Sequence, residues 1–406
     1  MSTSTAHRPG TVSLRDLLDR VPELTASLAV DTARREAARE LPYASMDAVR
    51  ASGIGGLRVP AAYGGPGASL VDLFQVVIDL SEADSNVAQA LRPHFGFVEK
   101  LISDGTEAER ERWFPAALAG ELFGNATGET AAKHPGDIHA TLAPDGGRYR
   151  LSGTKYYSTG SLFADWVVVA AKDHRDRRVR AVVPRGRPGL RLVDDWDGMG
   201  QRMTASGTTE LDDVVVHPHE VVVDEAVGVR RTHLGAYHQL FLAAVETGIA
   251  KNAARDAIDY ARDRARAVRH SGVEQAVQDP FVQHTVGEIA ALGYGAEATV
   301  LRAAAAIDRA LAGAPGEDGV AGAEPALAEA ATDVAQAQVV AARAALRAAE
   351  RLYDVGGASA TRREFNFDRH WRNARTLVSH NPIAHKARVV GDYLLNAEAP
   401  PLTGFF

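Results

Sequence analysis

The spacing of apolar residues changes twice along the chain, and these changes limit the folds that it can adopt. In residues 14–118 apolar positions recur every three or four residues, which is typical of amphipathic helices. From about residue 122 to 223, β-branched runs separated by turn residues predict strands. After residue 230 the helical period returns in alanine-rich segments. Because helices and strands do not alternate, a doubly wound nucleotide-binding fold is excluded.

The order of the zones predicts an α+β protein. We expect a helical domain over residues 1–120, a central β domain over 121–229 and a helical bundle over 230–406. Short strands at this spacing favour an antiparallel sandwich or barrel. The last zone contains helices of roughly 30 residues, well above the mean length, which fits an antiparallel four-helix bundle. Their alanine-rich faces suit either ordinary core packing or contact between subunits.

Two local patterns refine the helical zones. The stretches 53–69 and 314–325 are rich in Gly and Pro and predict loops. At Thr106 the sequence T-E-A-E, with Glu109 three residues on, predicts a capping box that begins a helix ending near Gly120.

Composition excludes several kinds of chemistry. The 406 residues include no cysteine, so disulfides, thiolate metal ligands, iron–sulfur clusters and thiol nucleophiles are excluded. The formal charge of −7, without basic–aromatic runs, gives no indication of nucleic acid binding. With no run of ~18 apolar residues and no secretory signal, we expect no membrane span and a cytoplasmic protein. His217 and His219 flank a proline and do not fit a metal site.

Three polar clusters lie in otherwise apolar surroundings. They are FGNATGET (123–130), GTKYYSTGS (153–161) and RHWRNARTLVSHNP (369–382). Hydroxyl and amide donors beside aromatic rings are what a polar, planar ring system such as a flavin needs from its pocket, although each cluster also fits a satisfied cap or turn. Neither a Walker loop nor G-x-S-x-G occurs, and the Gly-rich stretches lack the strand–helix context of a dinucleotide fingerprint.

The zones and clusters together resemble the acyl-CoA dehydrogenase superfamily, from about residue 20 to 396. FGNATGE lies where that family has its V-T-E-P-type flavin strand, and GTKYYSTGSLFADWVVVAA is similar to N-G-x-K-x-W-I-T-N-x-x-x-A-D. WDGMGQRMTASGTTELDDVVV and YDVGGASA are similar to two later motifs. The resemblance implies that the isoalloxazine ring is lined by Thr127, Tyr157, Ser158 and Thr159.

The chain departs from the dehydrogenases at the group that removes a proton from the substrate. Where many members have a glutamate in the loop before the last helix, this chain has Asn381, and an amide is no useful base. Where others carry the base on the first long C-terminal helix, it has His238, with Glu246 the only carboxylate in that run. A dehydrogenase with its base relocated to His238 or Glu246 stays an alternative, as does a non-catalytic protein that binds flavin or a partner.

The loop around His380 and the segment ERLYDVGGASATRREFNFDRHWRNART resemble the oxygenase branch of the superfamily. These are two-component flavin monooxygenases similar to dibenzothiophene monooxygenase. They take reduced flavin from a separate NAD(P)H:flavin reductase, react it with O2 to a C4a-hydroperoxide and transfer one oxygen to sulfur, nitrogen or carbon. The lack of a nicotinamide fingerprint agrees with an external reductant. The resemblance implies a homotetramer, a dimer of dimers, and a small aromatic, heterocyclic or amine substrate.

The resemblance also assigns roles to individual residues. His94 and His380 match histidines at the reactive edge of the flavin, where a near-neutral imidazole can handle the proton of a peroxide. Asn125, Thr159 and Ser379 are expected beside them. The expected pocket residues are Phe95, Phe97, Tyr157, Phe163, Tyr237, His238, Phe241, Trp371 and Asn381. The residues expected to hold the cofactor elsewhere are Arg269, Arg369, Trp371, Arg372 and Asn373, with His370 packing or binding flavin phosphate.

Two weakened contacts make FMN slightly favoured over FAD. Dehydrogenases hold the adenine half of FAD with an R-x-x-F-G-like motif and a late glutamine. Here Arg269 lies in RHSG, which lacks the aromatic residue, and Tyr353 stands in the place of the glutamine. We therefore expect reduced FMN, or a loosely bound flavin delivered by a reductase.

Overall fold

Helices, strands and again helices follow one another in the order that the apolar spacing predicts. The structure, a computed structural model, describes residues 13–130, 136–223, 230–313 and 319–406. The first helices described are α1 (Leu14–Leu18), α2 (Val21–Ala29), α3 (Thr32–Ala38), α4 (Tyr43–Ser52), α5 (Leu70–Ala83), α6 (Ser85–Asp104) and α7 (Glu107–Leu118). The strands are β1 (Phe123–Ala126), β2 (Thr141–Asp145), β3 (Arg148–Lys155), β4 (Trp166–Asp173), β5 (Arg178–Pro184), β6 (Leu190–Leu192), β7 (Thr209–Val216) and β8 (Val221–Val223). The later helices are α8 (Leu234–Asp263), α9 (Pro280–Ala312), α10 (Gly319–Arg351), α11 (Tyr353–Gly356), α12 (Asp368–Val378) and α13 (Ile383–Asn396).

The predicted capping box at the start of α7 is confirmed. The Thr106 hydroxyl accepts from the Glu109 N–H (3.3 Å), and the Glu109 carboxylate accepts from the Thr106 N–H (2.8 Å). The expected loop 53–69 follows an irregular path broken by two short 3-10 helices, Ile54–Gly56 and Ala61–Tyr63.

The central zone forms one eight-stranded sheet. Its strand order is β6-β7-β3-β2-β4-β5-β8, with β1 beside β4. Most pairs are antiparallel, but β4 pairs in parallel with both β1 and β2, so the expectation of a purely antiparallel sheet is wrong. The two short strands share one edge of β4, where β1 pairs with residues 166–169 and β2 with Lys172 and Asp173. The chain therefore leaves the β4 edge after Ala126, and the polar residues that follow are not part of that ladder.

The long helices α8, α9 and α10 pack against one another, and α8 also packs on α5. Ala341, Ala344 and Ala345 of α10 are buried within this chain, so this alanine face belongs to the core. The prediction of a loop over 314–325 is wrong for its described part, because α10 begins at Gly319 and continues through Pro325. Its alanines favour a helix. Among the described residues, no helix is long and apolar enough to cross a membrane.

Candidate active site

Polar side chains at the end of β1 meet the turn that follows β3. Asn125 donates from Nδ2 to the Tyr157 carbonyl (3.3 Å) and accepts at Oδ1 from the Thr127 hydroxyl (2.6 Å). The backbone N–H of Asn125 donates to the Thr159 carbonyl (3.3 Å). The first two polar clusters of the sequence thus form one surface, which we call the polar face: Asn125, Thr127, Tyr157 and Thr159.

Tyr157 holds an exposed ring on a strained backbone. Its φ of +56° lies in the left-handed region, which costs a tyrosine of order 1–3 kcal/mol. The residue is 54% exposed, and its ring meets Trp196 edge to face, with 5.9 Å between centroids. Gln201 and Ala205, in the loop after β6, also have positive φ. Strain of this kind persists where surrounding structure fixes it and clusters at ligand sites. The polar face therefore fits a planar ring with polar edges, as a flavin has.

Backbone hydrogen bonds fix the turn that carries Tyr157. The Ser158 N–H donates to the Gly207 carbonyl (3.1 Å), and the Gly160 N–H donates to the Thr204 carbonyl (2.9 Å). Gly160 has a φ of +77°, and a Cβ at this position would lie 2.3 Å from the Ala90 carbonyl oxygen. Only glycine lets α6 approach the turn this closely.

Neighbouring hydroxyls of the turn face opposite ways. Ser158 is buried and accepts a hydrogen bond from the Thr209 hydroxyl of β7 (2.7 Å). Thr159 is half-buried, and its hydroxyl bonds the Ser206 hydroxyl (2.8 Å). Ser158 therefore ties the turn to the sheet, and Thr159 lies at the polar face.

A second group of polar residues lies where α6, α8 and the loop after α12 come together. We call Arg92, His238 and His380 the histidine pocket. Arg92 and His238 are half-buried, and His380 is exposed in the loop. Burial, and next the charge of Arg92, lower the pKa of His238 to about 3 and that of His380 to about 4. Both imidazoles are therefore neutral at pH 7, and each carries one N–H donor.

Helix geometry places Arg92 beside His238. A Cβ on Gly96 would lie 2.6 Å from Cε1 of His238, so the glycine allows α6 and α8 to come close. Arg92 lies four residues before Gly96, which is one turn earlier on the same face of α6. Ala90, two residues before Arg92, touches the turn at Gly160 from a different face of the helix. Arg92 thus belongs to the face of α6 that meets His238.

Aromatic residues form the apolar side of this region, but they lie in the core. Tyr237 is fully buried, and its ring packs on Phe74 with 5.4 Å between centroids. Phe95 and Phe241 are also fully buried, with 6.2 Å between their ring centroids. Two other predicted pocket residues pack elsewhere: Phe97 with Trp113 and Phe123, and Phe163 with Tyr43. These contacts do not join them to Phe241, and their place in one pocket with it stays a prediction.

The side chains that flank His380 hold its loop in place. Asn381 is buried and donates from Nδ2 to Oε1 of Gln239 (2.7 Å), which also accepts from Gln338 (3.1 Å). The Ser379 hydroxyl donates to the Arg375 carbonyl (2.8 Å) at the end of α12. These contacts make Asn381 and Ser379 positioning residues for His380, and their assignment to pocket and catalysis stays a prediction.

His94 has backbone partners at both ring nitrogens. Nε2 donates to the Gly55 carbonyl (2.9 Å), Nδ1 accepts from the Phe123 N–H (3.4 Å), and the ring stacks on Phe123. Burial lowers the pKa of His94 to about 4. In this conformation His94 joins α6, the loop at Gly55 and β1, and offers no nitrogen to a flavin. Its role at the flavin edge stays a prediction that these contacts do not support.

The first half of the third polar cluster forms internal ion pairs. Asp256 of α8 accepts from Arg369 (2.5 Å) and from Nε2 of His370 (2.7 Å), and both partners are buried. Arg372 binds both carboxylate oxygens of Glu36 (2.7 and 3.0 Å).

Asn373 completes this buried region and connects it to the loop after β6. Its Oδ1 accepts from the Gln201 N–H (2.6 Å), and its Nδ2 donates to the Ser85 hydroxyl (3.3 Å). With Arg369 and His370 it lines a cavity of about 10 Å³, the size of one water molecule. The expectation that these residues hold the flavin is not supported, because carboxylates and backbone groups already occupy their donors.

Two predicted cofactor residues remain on the surface. Arg269 is exposed in the segment between α8 and α9, and Trp371 is 43% exposed on α12. No contact within the described chain joins either of them to the polar face, so both assignments stay predictions. A groove of about 540 Å³ between α2 and α5 contains none of the predicted site residues.

Sequence reasoning missed Arg92. The signal was present in ALRPHFGF, where a cation and a helix-breaking proline interrupt an apolar helical stretch. In the same stretch His94 has the side chain more typical of a catalytic site.

Comparison with known families gives matches along the whole chain. Residues 13–121 match "Acyl-CoA dehydrogenase, N-terminal domain", residues 125–214 match "Acyl-CoA dehydrogenase, middle domain", and residues 240–384 match "Acyl-CoA dehydrogenase, C-terminal domain".

Individual relatives are similar over nearly their full length. A dibenzothiophene monooxygenase of Mycolicibacterium goodii is 31% identical over 96% of this chain and 96% of its own. A probable FMNH2-dependent monooxygenase, SfnC of Pseudomonas putida, is 30% identical over 93% of this chain and 94% of its own. The crystal structure of TdsC from Paenibacillus sp. A11-2 with FMN and indole matches with a TM-score of 0.86 and 30% identity, covering 96% of this chain and 99% of TdsC.

Proposed function

The chain belongs to the acyl-CoA dehydrogenase superfamily and, within it, to the flavin-dependent monooxygenases, and from this premise we propose that it is the oxygenase component of a two-component system. It takes reduced FMN from a separate flavin reductase in the cytoplasm, uses O2 and acts as a homotetramer. The observation that carries the proposal is that neither position at which the superfamily places its base holds a usable base.

Neither of those positions has the basicity that dehydrogenation needs. Asn381 is a neutral amide bonded to Gln239. His238 has a pKa lowered to about 3 by burial and by the charge of Arg92, so it is a poor proton acceptor. Glu99, whose charge also acts on His238, is bound by Arg58 (2.9 Å) and by His233 (2.8 Å).

The remaining carboxylates do not replace these groups. Glu246 is fully buried without a charged partner, and burial raises its pKa well above the usual value, which disfavours the carboxylate form that a base needs. It lies eight residues after His238 on α8, about 12 Å further along the helix axis. Glu129, next to the polar face, is paired with Lys155 (2.5 Å).

The polar face and the histidine pocket fit an oxygenase. A bound reduced flavin supplies the chemistry, since it reacts with O2 at C4a to a hydroperoxide that transfers one oxygen. The chain contributes hydrogen bonds from Thr127 and Asn125, an aromatic contact from Tyr157 and a neutral N–H donor from His380.

Stopped-flow spectroscopy tests the proposal. Protein mixed with chemically reduced FMN and then with aerated buffer is expected to show the absorbance of the C4a adduct before the flavin is reoxidised. Reoxidation without an intermediate would count against an oxygenase. Bleaching of oxidised flavin by a panel of acyl-CoA thioesters under anaerobic conditions would indicate a dehydrogenase instead.

The substrate class is tested by product mass. We propose a small aromatic, heterocyclic or amine substrate, because relatives are named for dibenzothiophene and one was solved with indole. Dibenzothiophene, indole and aromatic amines incubated with the protein, FMN, NADH and a generic flavin reductase are expected to yield at least one product heavier by one oxygen atom. Omitting the reductase should abolish product, which tests the dependence on a partner.

A further inference from the structure

We propose that Arg92 binds an anionic oxygen group of the substrate, so that this chain selects substrates that carry a carboxylate or sulfinate. The inference rests on the proposed function and deepens it. Its basis is a cation that has no partner in the described chain although it is half-buried.

Several buried or half-buried arginines of the fold are matched by a carboxylate, and two others, Arg110 and Arg231, donate to backbone carbonyls. Arg58 pairs with Glu99, Arg187 with Glu220, Arg369 with Asp256 and Arg372 with Glu36. Arg92 differs: no described residue accepts a hydrogen bond from it, and its Nε is buried without a partner. Burial accordingly lowers the pKa of Arg92 to about 10, which still leaves it charged at neutral pH.

An unpaired charge in such a position costs stability. The neighbouring side chains of the described chain do not supply a counter-charge. His238 and His380 are neutral or cationic and never anionic, and burial raises the pKa of the Tyr237 hydroxyl, which has no hydrogen-bond partner. An anion that balances Arg92 would therefore come from a ligand.

The position of Arg92 indicates which ligand. On α6 it lies one turn before Gly96, which touches His238, and its charge acts on both His238 and His380. A group held by Arg92 would therefore lie next to the two neutral imidazoles. A guanidinium offers a fork of N–H donors that matches a carboxylate or sulfinate, and the imidazole N–H groups can complete the shell.

Binding measurements with isosteric pairs test the assignment without turnover. Indole-3-carboxylate is compared with indole-3-carboxamide, and methanesulfinate with dimethyl sulfoxide, by calorimetry on protein saturated with oxidised FMN. Wild-type protein is expected to bind the anion of at least one pair about 10- to 100-fold more tightly than its neutral partner, the range of a charge-assisted hydrogen bond.

Substitutions of Arg92 test whether its charge or the shape of its side chain causes the preference for the anion. Arg92→Met, which keeps an unbranched apolar stem, should reduce that preference to below about threefold, and Arg92→Lys, which keeps the charge but loses the fork of donors, should retain part of it. Arg191→Met, at an exposed pair with Glu210 on the sheet edge, is the matched control and should keep the wild-type preference. The affinity for FMN should change less than about threefold in all of them.

Three results would overturn the inference. They are equal affinity of the wild type for both members of each pair, equal weakening of both members by Arg92→Met, and a loss of FMN affinity in Arg92→Met with the anion preference intact. Because the assay needs no oxygen transfer, an anion preference without any oxygenated product would refute the proposed function and leave the Arg92 site standing. Oxygenation of neutral substrates without any anion preference would refute the Arg92 site and leave the proposed function standing.

Discussion

The Asp256 ion-pair network predicts that Asp256→Asn destabilises the protein. The carboxylate accepts from Arg369 at 2.5 Å and from His370 at 2.7 Å, and the Arg369 side chain is only 7% exposed. Removing one partner of a buried ion pair costs about 3–5 kcal/mol. Asp256 is itself 20% exposed and an asparagine can still accept one hydrogen bond, so we expect the low end, about 3 kcal/mol.

Urea unfolding followed by tryptophan fluorescence, at pH 7.5 and fixed protein concentration, measures this loss. Asp259→Asn, at an exposed position of the same helix, is the matched control and should stay within about 0.5 kcal/mol of wild type. The affinity for FMN should change less than threefold in both variants. A loss of less than 1 kcal/mol of unfolding free energy in Asp256→Asn, together with a tenfold loss of FMN affinity, would refute the structural role of this ion pair. It would indicate that Arg369 binds the flavin phosphate.

Four further outcomes are expected. His380→Ala should divert reducing equivalents to hydrogen peroxide while the circular dichroism spectrum stays unchanged, and His385→Ala, at an exposed imidazole of α13, should not; equal coupling in the two variants would remove His380 from the site. His94→Phe should cost about 2 kcal/mol in urea unfolding, because the Gly55 carbonyl and the Phe123 N–H lose a buried partner, and an unchanged midpoint would contradict this role. Wild-type stability should fall as the pH drops from about 6.5 to about 4, because the unfolded state protonates His94 before the folded state does; a flat urea midpoint between pH 7 and pH 5 would exclude this. Tyr157→Ala should weaken FMN binding about tenfold in a fluorescence titration. An affinity equal to that of the wild type would show that the flavin ring does not contact Tyr157.

The order of elements was predictable from local sequence, whereas several pairings were not. The spacing of apolar residues, and the hydroxyl and carboxylate of Thr106 and Glu109, act within a few residues, so they can be recognised without the fold. The parallel pairing of β1 with β4 joins segments about 40 residues apart, so the residues near either strand do not indicate it. The helix at Gly319 begins in a stretch whose glycines and prolines favour a loop, and flanking alanines outweigh them.

In the candidate site, too, some contacts could be predicted from local sequence and others could not. The polar face joins two clusters that sequence motifs had already aligned, and Asn125 and Tyr157 meet there by a hydrogen bond. The third cluster has the same composition, yet Arg369 and Arg372 are occupied by Asp256 and Glu36 from other helices. Whether a polar cluster binds a ligand or satisfies itself depends on carboxylates far away in the sequence, and composition alone does not reveal them.

Arg92 also explains why a dehydrogenase cannot be regained at this site by restoring one carboxylate. A glutamate at position 238 would lie in the field of Arg92, the charge that already helps to lower the pKa of His238 to about 3. An ion pair with Arg92 would lower the pKa of that glutamate as well, and a carboxylate stabilised in this way is a weaker base. Burial is the main reason that the neighbouring imidazoles are unprotonated, and the charge that would bind a substrate anion adds to it. The cation and the histidines therefore act together, because the imidazoles serve as neutral hydrogen-bond donors and not as proton acceptors.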